Sequence, residues 1–268
     1  HLVLHRLPVG DDRGALPSPP PPPGPLAARA FDHYLTGLAR KHFASVRWHA
    51  LDDWRAWPAL PTLVVANHTN WWDGFLSHQI SRAMGRHVRI LMEARNLSRY
   101  RIFLRIGALP LERRSRSQAM RDLAVATACL APDALVWIYP QGARRPAPEP
   151  IHDLEGGAAW MVERHGGPLR ILPVAFRYPF LSEQQAEPLV LLGRSWVVGQ
   201  GEVSPRGVLR DDLTASLRDT VASLDAMIAG ESLDDFATLI AGRPSINNRL
   251  DAVRHRLGML DDFDARNG

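Results

Sequence analysis

Residues 62–76 read TLVVANHTNWWDGFL, an apolar run that ends at Asn67-His68, with Asp73 five positions beyond His68. Leu63-Val64-Val65-Ala66 is unbroken by polar residues, which is how a strand buried on both faces reads. Asn67 to Asn70 then supply turn and capping side chains before a helix opening near Trp71. His68 is therefore expected where a strand ends and a helix begins. Positions five apart do not share a face of a regular helix, so a His68–Asp73 hydrogen bond requires the irregular junction this stretch provides. Such a pair is a histidine base with an orienting carboxylate. Spacing alone is weak: a chain with 11 His supplies roughly 0.8 such pairs by chance, and the plainer reading is a capping or solvated histidine.

Outward from this stretch, strands alternate with helices. Gly107 to Arg113 reads as a short strand, 117–130 as a helix, and Ala134 to Tyr139 as a second buried strand ending in Pro140-Gln141-Gly142-Ala143-Arg144-Arg145. A helix is expected over 153–165 and strands over 169–176, 189–192 and 196–198. The helix over 208–229 carries Leu209, Leu213, Leu217, Val221, Leu224 and Ile228 on one stripe. The alternation predicts an α/β fold, a mixed, largely parallel sheet flanked by helices. Residues 26–43, with Phe31, Tyr34, Leu35 and Leu38 at helical spacing, form an amphipathic N-terminal helix. Residues 1–25, rich in proline, read as an extended tail or linker. The expected organisation is this tail, one domain over 26–229, and a polar, helical C-terminal extension over 230–268.

Composition narrows the partners. The chain of 268 residues is 46% hydrophobic, carries a net charge of +4, and holds 32 basic residues of which only Lys41 is lysine. Residues 82–121 concentrate eleven arginines against Glu93 and Glu112. There, Tyr100, Ile102, Phe103, Leu104 and Ile106 interleave with Arg99, Arg101 and Arg105, the pattern of a helix that meets anionic lipid through both stems and charges. Nucleic acid would accept the same charge, but no zinc-finger spacing, aromatic RNA-binding motif or recognition helix accompanies it. Trp48, Trp54, Trp57, Trp71 and Trp72, five of the eight tryptophans, suit either a face resting among lipid headgroups or ordinary core packing. The single Cys129 excludes an intramolecular disulfide framework and reads as a small core residue. No window approaches a membrane-spanning length and no signal segment stands near the start, although the chain opens on His1 rather than Met.

Taken in order, the segments resemble the glycerolipid acyltransferase family typified by lysophosphatidic acid acyltransferase (PlsC-like), over about residues 44–200. Its NHxxxxD motif stands as Asn67-His68-Thr69-Asn70-Trp71-Trp72-Asp73. Its glycine followed six positions later by arginine is met by Gly107 and Arg113. Tyr139-Pro140-Gln141-Gly142-Ala143-Arg144 stands where the family has Phe/Tyr-Pro-Glu-Gly-Thr-Arg, and Leu172-Pro173-Val174 matches its apolar-Pro-apolar strand.

The resemblance implies acyl transfer from acyl-CoA or acyl-carrier protein, as co-substrate, to a lipid hydroxyl, with lysophosphatidic acid or another lysophospholipid as acceptor. His68 and Asp73 would be catalytic. Asn67, Arg113, Gln141, Gly142, Arg144, Trp71 and Trp72 would bind substrate, the arginines through phosphate and a backbone N–H near Gly142 through the oxyanion. Gln141 and Ala143 depart from the family's Glu and Thr, which opens a second acceptor class, a carotenoid glycoside or glycolipid. A non-catalytic lipid binder on the same fold is the third reading. No further cofactor and no metal are implied, and the expected place is cytoplasmic, peripheral at the inner face of the cell membrane.

Overall fold

The computed structural model describes residues 15–242 except Pro23, Ala147 and Pro148, and leaves out the side chains of Ala27, Arg101, Ile102 and Arg105. Among the described residues nine strands form one sheet: β1 (Ser45–Ala50), β2 (Thr62–Ala66), β3 (His87–Glu93), β4 (Ala108–Leu111), β5 (Ala134–Ile138), β6 (Leu169–Arg177), β7 (Leu189–Leu192), β8 (Trp196–Val198) and β9 (Ala237–Ala241). Their order is β4-β3-β5-β2-β6-β7-β1-β9, with β8 paired to the start of β6. Strands β2 to β6 are mutually parallel, whereas β7 and β8 run antiparallel to β6, and β9 antiparallel to β1. The expected mixed, largely parallel sheet is thus the observed one.

Strand β2 lies between β5 and β6 with all five residues buried, which is why its sequence shows no polar alternation. Its side chains still alternate between two cores. Leu63 and Val65 join the layer of helices α4 (Arg116–Ala128), α5 (Gly157–His165) and α6 (Arg206–Ala229). Val64 and Ala66 join the layer of α1 (Pro25–His42) and α2 (Asp73–Ala83). Leu209, Leu213, Leu217, Val221 and Leu224 bury the predicted stripe of α6, so truncating Leu217 to Ala would cost about 2–5 kcal/mol. Cys129 is buried in the same layer.

Several expectations need correction. Residues 230–242 do not begin a helical extension: Ala237–Ala241 is an edge strand on β1, and 243–268 lie outside the described residues. The segment after β3 is not one helix but α3 (Ala94–Arg99) and a 3-10 segment (Arg101–Ile106), which ends at Gly107 in left-handed conformation. Of the five tryptophans, Trp72 packs against Phe43 and Phe75, while Trp57 lies under Arg170 at the amino ends of β2 and β6. They do not form one lipid-facing cluster. The described part of the proline-rich segment, residues 15–24 except Pro23, is irregular, and the buried Arg89 of β3 donates to the Pro20 carbonyl.

Candidate active site

Parallel strands deliver their carboxyl ends to one edge of the sheet, the place where open α/β sheets bind ligands. Here His68 follows β2, Tyr139 follows β5 and Tyr178 follows β6. Six residues separate β2 from α2, and Asp73, the first residue of α2, folds the turn around its carboxylate. Its Oδ2 accepts from the Thr69 N–H at 2.7 Å, the Asn70 N–H at 2.9 Å and His68 Nδ1 at 2.8 Å. Its Oδ1 accepts from the Tyr178 hydroxyl at 2.6 Å. Fully buried, the carboxylate has four donors and sits at a helix amino terminus, which suits negative charge. A carboxylate only accepts, so Nδ1 carries the imidazole proton and Nε2, unengaged among the described residues, is left as a base.

The loop after β5 grips His68 on both sides of its peptide. The His68 N–H donates to Gln141 Oε1 at 2.7 Å, and the Arg145 N–H donates to the His68 carbonyl at 2.7 Å. The Tyr139 ring lies over the imidazole, 4.7 Å between centroids and 32° between planes, and its hydroxyl meets Ser77 Oγ at 2.7 Å. Burial first, and then the Asp73 carboxylate, push the phenols of Tyr139 and Tyr178 well above their ordinary pKa of 10. Both stay neutral hydroxyls beside the pair.

His68 opens onto a cavity of about 830 Å³. Phe75, Ile90, Phe103, Ile106 and Ile138 give it an apolar wall, and Arg113, Arg144 and Glu155 a charged end. Of the residues predicted to bind substrate, Trp71, Arg113, Gly142 and Arg144 line this cavity. Asn67, Trp72 and Gln141 do not. Asn67 is buried, donating its amide to the Phe176 carbonyl at 3.2 Å and accepting from the Phe176 N–H at 2.7 Å, so it ties β2 to β6. Trp72 belongs to the core, and Gln141 holds the His68 peptide. The Gly142 N–H meets the Tyr139 carbonyl at 3.4 Å, whereas those of Ala143 and Arg144 have no partner among the described residues and are the better oxyanion donors.

Sequence reasoning passed over Tyr178, Ser77 and Glu155. Tyr178 stands one residue beyond β6, and the expectation of a largely parallel sheet was the one available signal for it. Arg113 places one guanidinium nitrogen on Glu155 Oε1 at 2.5 Å and another on the Gly142 carbonyl.

Residues 46–177 match the family model described as Acyltransferase. No curated protein matches the chain in sequence. Among solved structures, the crystal structure of the 1-acyl-sn-glycerophosphate (LPA) acyltransferase PlsC from Thermotoga maritima shares the fold. It has a TM-score of 0.53 and 14% sequence identity, covering 74% of this chain and 78% of that one. The family match, on a sheet and helices arranged as in that enzyme, gives this chain an acyltransferase domain with a PlsC-like fold.

Proposed function

We propose that the protein transfers a fatty acyl group from a thioester, acyl-CoA or acyl-carrier protein, to a lipid hydroxyl, with His68 as general base. The observation that carries this reading is the 2.8 Å His68–Asp73 hydrogen bond, with Nε2 free at a cavity whose apolar wall suits an acyl chain. The acceptor hydroxyl gives its proton to Nε2 as its oxygen attacks the thioester carbonyl. Asp73 holds the tautomer and stabilises the imidazolium, and the N–H groups of Ala143 and Arg144 receive the developing oxyanion. Collapse breaks the C–S bond, and His68 returns the proton to the departing thiolate. The products are an ester and a free thiol, without a covalent enzyme intermediate. Arg144, with no side-chain partner among the described residues, would hold phosphate.

The family resemblance suggests lysophosphatidic acid or another lysophospholipid as acceptor, within phospholipid biosynthesis. One observation favours the second class, a glycolipid or carotenoid glycoside: Arg113, expected to bind phosphate, is paired with Glu155.

Such substrates reside in a membrane, and a peripheral position at its inner face fits. Among the described residues no helix is long and apolar enough to cross a membrane. Trp71 and Tyr100, each about half exposed, stand at the cavity, and the exposed Tyr34 and Leu104 lie on the neighbouring α1 and 3-10 segment. Arg95 and Arg99 line the cavity beside them. Co-sedimentation with anionic vesicles tests this arrangement, and equal binding to neutral and anionic vesicles would reject the arginines' part in it.

Mass spectrometry of products formed from acyl-CoA or acyl-carrier protein and a total lipid extract tests the chemistry. An ester should form with the wild type and fall at least about a hundredfold in His68→Ala, which keeps its fold. Undiminished turnover in that variant would reject His68 as the base.

A further inference from the structure

The three charged groups at the polar end of the cavity are not arranged as an anion cradle. Both directions of the Arg113 fork end on protein acceptors, the Glu155 carboxylate and the Gly142 carbonyl, so the geometry that could clasp a phosphate is closed. The backbone builds this closure. Gly142 has φ +73°, and a Cβ there would stand 2.1 Å from Glu155 Oε1 and 2.8 Å from an Arg113 nitrogen. Only glycine lets the carboxylate and the guanidinium lie against the loop. The Glu155 N–H donates to the Pro140 carbonyl at 2.8 Å, which fixes where the side chain leaves the chain. Arg113 and Glu155 cancel, and Arg144 is the remaining cation of the three.

Resting on the acyl-transfer reading, we propose that Glu155 selects the acceptor. It fills the Arg113 fork and presents a carboxylate to the head group, so the preferred acceptor carries its hydroxyl on an uncharged glycosyl or polyol group rather than beside a phosphate monoester. A phosphate monoester brings about −1.5 to −2 charges at neutral pH, and its oxygens mainly accept hydrogen bonds. With the Arg113 fork already filled by Glu155 and the Gly142 carbonyl, it finds no free guanidinium fork there to hold it. Sugar hydroxyls donate as well as accept. Glu155 Oε2, unengaged among the described residues, can accept from them, and Arg144 is left for the phosphates of the thioester donor.

The test offers the purified full-length chain palmitoyl-CoA and palmitoyl-acyl-carrier protein as donors. Lysophosphatidic acid and a monoglucosyl diacylglycerol are offered together as acceptors in mixed micelles. Wild type, Glu155→Gln and His68→Ala are compared by product mass spectrometry. The expected result is His68-dependent acylation of the glucolipid, with kcat/KM at least about tenfold above that for lysophosphatidic acid, and a shift of that ratio by about tenfold toward lysophosphatidic acid in Glu155→Gln. His68-dependent transfer that favours lysophosphatidic acid in the wild type leaves acyl transfer standing and overturns the role given to Glu155. A ratio that Glu155→Gln does not move overturns it as well. No product with either acceptor and either donor overturns the acyl-transfer reading itself, and the proposal with it. The wild-type ratio decides the matter even where Glu155→Gln fails to fold.

Discussion

The Tyr178 hydroxyl, one residue past the end of β6, donates to Asp73 Oδ1 at 2.6 Å, on the oxygen that His68 does not use. The carboxylate is thereby held from two directions, by its own turn and by the residue that follows β6, the strand paired with β2. Tyr178→Phe removes one of four donors to a buried charge while preserving the ring's packing on Phe43. We expect kcat to fall about tenfold with KM within about twofold, because what is lost is the aim of the base rather than a substrate contact. A KM effect larger than the kcat effect would place Tyr178 in substrate binding instead. Burial and Asp73 push this phenol well above its usual range. Absorbance titration to pH about 10.5 should therefore show no loss of tyrosinate signal when Tyr178 is replaced.

Gln141 invites a different substitution. Its carboxamide oxygen accepts the His68 N–H at 2.7 Å, a bond that glutamate can also accept. Gln141→Glu should therefore keep transfer and leave the acceptor profile near that of the wild type, although the sequence alone suggests acceptor contact at this position. Gln141→Leu leaves the His68 N–H without its partner. A loss of about 1–3 kcal/mol in stability is expected, read from chemical denaturation, with transfer falling alongside it. A full-strength Leu variant would show that the loop holds His68 without this bond.

What could be read in the chain follows how local each signal is. Strands β2, β5 and β6 are buried on both faces, so their apolar runs stand out. Strand β9 is an edge strand in which only Ile240 is buried, and nothing in ATLIA separates it from a solvated segment. Strand β3 was hidden by His87 and Arg89, the latter held by a proline-segment carbonyl that no pattern announces. The His68–Asp73 pair was legible because one turn makes it. Tyr178 reaches Asp73 across 105 positions and Glu155 reaches Arg113 across 42, so both depend on the sheet order. Asn67 misled for a physical reason: an amide next to a catalytic histidine can bind substrate or hold strands, and burial decides for the strands.

A pH dependence of stability is expected from His78, which joins α2 to α1. Its Nε2 meets Asp32, which also binds Arg82, while its buried Nδ1 has no partner. Burial lowers its pKa below the usual 6.5, against the opposing pull of Asp32. The neutral ring is also the better geometric fit, since protonation would leave a buried N–H unsatisfied. Below pH about 6.5 the unfolded chain takes up a proton that the folded chain resists, so stability is full above that value and falls as pH drops through the lowered folded pKa. Thermal melts between pH about 7.5 and 5.5 should show a shallower decline for His78→Gln than for the wild type. Parallel declines would remove His78 from the account.

Gly142→Ala tests the charged end of the cavity without altering a charge. Alanine at φ +73° is strained, and its Cβ would enter the space of Glu155 Oε1 and the Arg113 guanidinium. The ion pair must open or the loop must move. Because that loop also carries the Gln141 and Arg145 contacts to His68, movement would misplace the base. The expected outcome is a stability loss of about 1–2 kcal/mol together with a fall in kcat of at least about tenfold. If the pair opens and the loop stays, the freed Arg113 should raise the relative use of lysophosphatidic acid while kcat is largely kept. Measuring stability, kcat and acceptor ratio on this one variant thus separates the loop's hold on His68 from its hold on Arg113. Wild-type behaviour in all three would mean that the close packing of Gly142, Arg113 and Glu155 governs neither.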